Sequence, residues 1–431
     1  MNRFSLCLAR GIARVTETAL GPYQSAVIRI GFSATWLLFL LREFPHRQEL
    51  YGPDGPWSWD LAQQLVASNH SFTVLLWSDS QLWFETVYAL AVLSSLLLML
   101  GWRTRTMSVL FMVGVLSLQN RSVFMGDGGD NVIHLMAIYL VFTRCGQVWS
   151  LDERRARLRQ AARARGAFPG HDVLQGTRET PEAPEARGTA DGSDPVGAAL
   201  WAVLGFALLA ATLTGKIDGG LLGGWPAVYW GLWAGQGLWW AVGRRARTAQ
   251  PRILLDVVAN LAHNAALLVI MAEACLIYAT AGWYKIQGSR WQDGTAVYYP
   301  LHLDYFSPWP ALSDLLSAHG TAVLLVTYGT VVVQVAFPFT LFNRRVKNVL
   351  LAVMMTEHAV IAVVLGLPFF SLAMIAADAV FLPTSFLRRV GGRVARARGG
   401  LFRGRYRGRT VPGPRGEQPD PVEGTHVGFT A

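Results

Sequence analysis

Lys285 is one of three lysines in a 431-residue chain and lies in an aromatic setting, ATAGWYKIQGSRWQDGTAVYY at 279–299. It ends a long apolar run, with Trp291 and Asp293 shortly after it. Such a lysine is either an interfacial anchor, which Trp, Tyr and Lys at a helix end typify, or a base. An arginine would anchor equally well, but a guanidinium does not lose its proton, whereas an amine can. A second set lies in GDGGDNVIHL at 126–135, where Asp127 and Asp130 occupy a Gly-rich turn and His134 follows four residues after Asp130. A carboxylate there could cap a helix N-terminus, and His134 would then project from its first turns. Arg29, inside the apolar stretch IRIGFSATWLLFLL, wants a carboxylate or a bound anion as partner.

Further ionisable groups sit in apolar runs: Glu273, the pair Glu357-His358, and Asp378. Each is either a structural interhelical contact or part of a site. Asp256, Asn260 and His263 share one helix face by spacing. Several chemistries lack their motifs. There is no GxxxxGK[ST], no GxGxxG after a strand, no HExxH and no GxSxG. Cys7, Cys145 and Cys275 form neither a disulfide framework nor a metal spacing, so no metal site is expected.

The elements that must position these residues are membrane helices. The chain is 52% hydrophobic and 15% charged, with sixteen Trp and twenty-one Phe. Its mean hydropathy is +0.30. Soluble domains carry about 25% charged residues, so a cytosolic enzyme, a secreted disulfide scaffold and a DNA-binding domain are excluded as primary readings. Runs of suitable length predict an all-α, polytopic protein with about ten crossings, at 24–41, 83–100, 107–118, 132–143, 196–214, 221–242, 253–283, 321–341, 349–366 and 369–383. With both termini cytoplasmic, 31 of the 38 basic residues fall on inner segments and six on outer ones, Arg29 lying within a span. The expected location is the plasma membrane.

The domain reading follows: a cytoplasmic segment at 1–23, a first membrane half at 24–151, a basic linker at 152–195, a second half at 196–387 containing Lys285, and a basic tail at 388–431. The linker and tail are Arg-rich runs leading into Pro- and Gly-rich stretches and are expected to be disordered. The net charge of +10 resides largely in such segments, which suits anionic lipid headgroups better than nucleic acid.

Taken in order, IRIGF, LYGPDGP, GWRTR, GDGGDNVIHL, VWSLD and AGWYKIQGSRWQDGTAVYY resemble the HTTM (horizontally transferred transmembrane domain) family over roughly residues 20–385. This family forms the membrane part of vitamin K-dependent gamma-carboxylases and their bacterial relatives. The resemblance implies that Lys285 is the base that deprotonates reduced vitamin K, or a menaquinol, on the exoplasmic side. His134 is then a looser match to a histidine that assists the oxygenated intermediate. Arg29, Asp127, Asp130, Trp291 and Asp293 become site-lining residues, and a small peptide becomes a possible acceptor of carbon dioxide. The chain departs from the carboxylases after its last span, where about 45 residues of basic tail stand in place of their large exoplasmic domain. Two other readings stay open. One is a non-catalytic membrane helper for maturation of, or protection from, a secreted peptide; the other is a transporter, for which no paired discontinuous helices appear.

Overall fold

The computed structural model describes residues 3–122, 124, 126–166, 194–217, 224–245 and 250–406. Most of the expected disordered linker and tail, at 167–193 and 407–431, lies outside them. The described residues are helical, with no strand among them. The described residues up to Thr384 form one compact unit and those from Ser385 onward a second.

The principal helices are α1 (Arg3–Glu17), α2 (Pro22–Glu43), α3 (Gln81–Leu100), α4 (Thr104–Arg121), α5 (Gly128–Val141), α6 (Leu151–Gly166), α7 (Pro195–Leu213), α8 (Gly224–Arg245), α9 (Gln250–Gln287), α10 (Gly320–Ala336), α11 (Arg344–Val364), α12 (Pro368–Asp378) and α13 (Thr384–Tyr406). Among the described residues six stretches are long and apolar enough to cross a membrane: Pro22–Tyr51, α3, α7, α9, Gly320–Phe342 and α11. Counting 368–381 with 384–397 as one span makes seven. The other expected crossings fall on α4, α5, α8 and α12, of which α5 has 14 residues and α12 has 11.

The short helices are central. In α4, Phe111, Val115, Leu116 and Leu118 are buried, but so are Thr104, Thr106, Ser108, Ser117 and Arg121. A helix enclosed by protein can carry such polar groups because its neighbours satisfy them, so its hydropathy need not match that of a lipid-facing span. The core around α2, α3, α4 and α5 is built from Phe32, Trp36, Tyr88, Phe111, Met136 and their neighbours.

Two junctions set the frame. Gly21, at φ 59°, precedes Pro22, which opens α2 with a φ already suited to a helix. The carbonyls left free at the end of α1 are taken up by α9: Asn260 donates to Thr16 O at 2.9 Å, and Asn264 to Val15 O and Thr18 O at 2.8 and 2.9 Å. Between α7 and α8, Trp201 and Trp233 stack at 4.1 Å, and each indole N–H donates to the other's carbonyl, at 3.1 and 3.0 Å. Each ring lies over the glycine four residues along the opposite helix, Trp233 over Gly205 and Trp201 over Gly237. A Cβ at either glycine would occupy the indole's place, which is the small-residue packing that membrane helices favour.

Candidate functional site

Three groups of polar side chains stand out, and the family-like motifs divide among them.

The first is a brace. Arg29, fully buried, donates through Nη1 to Leu98 O and Met99 O at 2.6 and 2.9 Å, and through Nη2 to Trp149 O at 2.8 Å. The carboxylate or anion expected for Arg29 is therefore replaced by backbone carbonyls. Two of them lie in the last turn of α3, where free carbonyls and the helix dipole favour a cation. Asp152 of VWSLD accepts from Arg103 N and Thr104 N at 2.8 Å each and from Thr104 Oγ1 at 3.0 Å, capping α4. Arg103 in turn forms a bidentate pair with Asp194 at 2.8 and 2.6 Å. Hydrogen bonds from Arg103 hold the Asp194 carboxyl down at about 2. The face Asp256-Asn260-His263 serves a similar purpose. Arg144 reaches all three, its amide to His263 Nδ1 at 2.8 Å and its guanidinium to Asn260 Oδ1 at 2.6 Å and Asp256 Oδ1 at 3.2 Å.

The second group encloses a cavity of about 150 Å³ between α2, α4 and α5, lined by Trp36, Phe39, Tyr51, Asn120, Asp130 and His134 among others. Asp127 is the N-cap of α5, accepting from Gly129 N at 2.6 Å, and Asp130 answers by accepting from Asp127 N at 2.8 Å. Both carboxylates thus serve a capping box. Gln119 donates to Asp130 O at 2.9 Å, which turns its Oε1 toward His134 Nδ1, also at 2.9 Å. His134 therefore carries its proton on Nδ1 in the neutral form, leaving Nε2 as an acceptor. Arg121 donates to Gly52 O at 2.8 Å and Trp57 O at 3.1 Å, fixing the LYGPDGP turn against this wall. The indole N–H of Trp36, itself 1% exposed, has no partner among the described residues.

The third group is built on α9, α10, α11 and α12. Lys285 is half-buried and donates to Gln334 Oε1 at 2.7 Å; Gln334 donates to Glu357 Oε1 at 3.0 Å. The Lys285 ammonium position lies 5.2 Å from the centre of the Trp291 ring. Next to this chain, Tyr278 donates to Asp378 Oδ1 at 2.9 Å and lies 3.1 Å from His358 Nε2. Tyr278, His358 and Asp378 are all buried. Gly282 allows the approach of α10, because a Cβ there would sit 2.6 Å from Val335. Asp293 stands apart: it is exposed, bonded to Thr295 and 3.6 Å from Arg290, as a turn residue.

The structure thus joins Lys285 with Trp291, Glu357 and, next to them, Asp378, but places His134, Asp127 and Asp130 in a different group. Phe370 separates the two. Its backbone packs on Gly129 and its ring lies 5.6 Å from His358. Gln334 and Tyr278 were not singled out in the sequence. Gln334 had a signal, an amide inside the apolar run TAVLLVTYGTVVVQVA, while Tyr278 in a long apolar helix had none. Among the described residues no group of three or more His, Cys, Asp or Glu is arranged to hold a metal ion. Comparison with family models, curated proteins and solved structures gives no match to this chain.

Proposed function

We propose that this chain is a multi-pass plasma-membrane protein of the HTTM type, with about ten crossings and both termini cytoplasmic, that deprotonates a lipid-soluble quinol at Lys285. The observation that carries the reading is the chain Lys285–Gln334–Glu357. The amine's hydrogen-bond partner is a neutral amide, and the nearest carboxylate in the chain is one side chain further away. A direct Lys–Glu ion pair would hold the proton on nitrogen; the interposed amide orients the amine while leaving it able to accept one. Glu357 lies close enough to offset the charge that appears when the amine takes up the quinol hydroxyl proton.

The residues suit a quinol by their chemistry. Lys285 is half-buried beside an indole face, where an apolar ring would pack and its hydroxyl would meet the amine. When bound, a reduced quinol supplies an oxygen-reactive anion, which in the resembling carboxylases drives epoxide formation and carboxylation of a glutamyl side chain. His134 belongs on this reading to the separate aromatic-walled cavity, as a fixed acceptor for a small polar reactant, and not to the proton-abstracting centre.

The test uses membranes carrying wild-type protein, Lys285→Ala or Lys285→Arg, supplied with reduced vitamin K or menaquinol and oxygen, with the quinone epoxide measured by mass spectrometry. Epoxide is expected from wild type and from neither variant. Undiminished epoxide with Lys285→Arg would sink the assignment, since a guanidinium cannot serve as the base.

A further inference from the structure

A second cavity, of about 170 Å³, lies between α4, α7 and α8 and shares no lining residue with the His134 cavity. Most of its wall is apolar, from side chains such as Val113, Ala207, Leu208 and Leu232. Its polar groups divide into two kinds. Gln236 donates to Thr106 Oγ1 at 3.0 Å, so each of these side chains already has a partner in the other. Tyr229 is different. Its ring clusters with Phe72 at 4.8 Å and Trp225 at 5.8 Å, and its hydroxyl is buried with no partner among the described residues.

A water molecule is a poor occupant, because buried waters make two to four hydrogen bonds and Tyr229 offers one. Left empty, the pocket would forfeit the packing contacts that its apolar wall could make. Apolar cavities of about 150 Å³ take up single-ring hydrocarbons. The outer faces of α7, with Val203, Phe206 and Leu213 exposed, place the cavity beside a surface that suits lipid.

We infer that this cavity binds a membrane-dissolved amphiphile of single-ring size, an apolar body with one hydroxyl or carbonyl that pairs with Tyr229 Oη. The Trp201–Trp233 pair holds α7 and α8 together along one wall, so the site is set by packing and does not depend on the Lys285 reading.

The experiment photolabels the purified full-length chain in detergent with a diazirine-bearing alkylphenol and maps adducts by peptide mass spectrometry. Propylphenol and propylbenzene are the competitors. Adducts are expected on the α7 and α8 peptides, with propylphenol competing about tenfold better than propylbenzene, the net effect of one hydrogen bond to an otherwise unpartnered group. In Tyr229→Phe the two competitors should become equal, and in Ala207→Trp the adducts should disappear. Absence of these adducts from wild type, equal competition in wild type, or a phenol preference that persists in Tyr229→Phe would each overturn the site. Tyr229→Phe removes a single unpartnered oxygen, so it keeps the question decidable if Ala207→Trp does not fold.

Discussion

Arg29 on α2 donates to the carbonyl of Trp149, 120 residues away, at 2.8 Å, and Trp149 has φ 53°, a left-handed conformation uncommon for a bulky residue. The same guanidinium holds the end of α3 through Leu98 O and Met99 O, and Gly101, at φ 72°, brings its backbone against Arg29 and Ser150. IRIGF, GWRTR and VWSLD are therefore three sides of one joint. Arg29→Gln cannot span three carbonyls, and those it abandons stay wholly or partly buried. We expect a loss of at least about 2 kcal/mol, the cost of a charge-assisted hydrogen bond left unmade. Arg29→Lys should recover part of it. Thermal unfolding in detergent measures both, and a wild-type melting temperature in Arg29→Gln would contradict the joint.

The Arg103–Asp194 pair predicts a pH dependence. The Asp194 carboxyl is held down at about 2, below the usual 3.8, because Arg103 donates to both its oxygens. A depressed carboxyl adds stability that is fully present above its unfolded value and fades as pH falls from about 4 to 2. The pair is partly exposed, so the contribution is about 1 kcal/mol or less after screening. Asp194→Asn should melt below wild type at pH 6 and alongside it near pH 2. An offset that is unchanged across that range would rule out the ionic contribution.

Much of the helical order was legible because lipid-facing helices advertise themselves by length and apolarity. α3, α7, α9 and α11 have the length and apolarity of such helices. Helices α4, α5 and α12 are harder to read because protein surrounds them, and their polar groups are satisfied by neighbours that sequence spacing cannot identify. Arg29 illustrates the limit. The residue is conspicuous, but its partners are backbone carbonyls, which no side-chain pattern reveals. Lys285, Glu357, His358 and Asp378 were visible as charges in apolar runs; that Gln334 and Tyr278 tie them into adjacent networks depends on how α9, α10, α11 and α12 pack.

Gln334 tests whether the amide between Lys285 and Glu357 matters. Gln334→Glu would place a carboxylate against the amine, favouring the ammonium form, which does not acylate. Acylation of Lys285 by an activated ester at neutral pH, followed on its peptide by mass spectrometry, should slow by about tenfold or more. Gln334→Leu, which adds no charge, should not slow it. Equal slowing by both would mean that access, not protonation, limits the reaction. Quinol-dependent epoxide formation should fall in both variants, since either loses the orientation of the amine.

The capping turn of α5 offers a test in which two simple rules disagree. Asp127→Ala removes the N-cap acceptor for Gly129 and Asp130, worth about 1 kcal/mol. Gly129→Ala, judged by helix propensity alone, should stabilise by a similar amount. The structure reverses that sign, because a Cβ at Gly129 would lie 2.6 Å from the Cα of Phe370, and backbone cannot yield as a flexible side-chain tip can. Overpacking of this kind costs about 1–3 kcal/mol, so Gly129→Ala should be destabilised at least as much as Asp127→Ala. Its effect should also travel, since Phe370 packs on His358, which faces Tyr278. Phe370→Ala in the Gly129→Ala background removes the ring but leaves the backbone clash, so it should not restore the melting temperature. A Gly129→Ala protein more stable than wild type would show that α5 and α12 do not approach this closely.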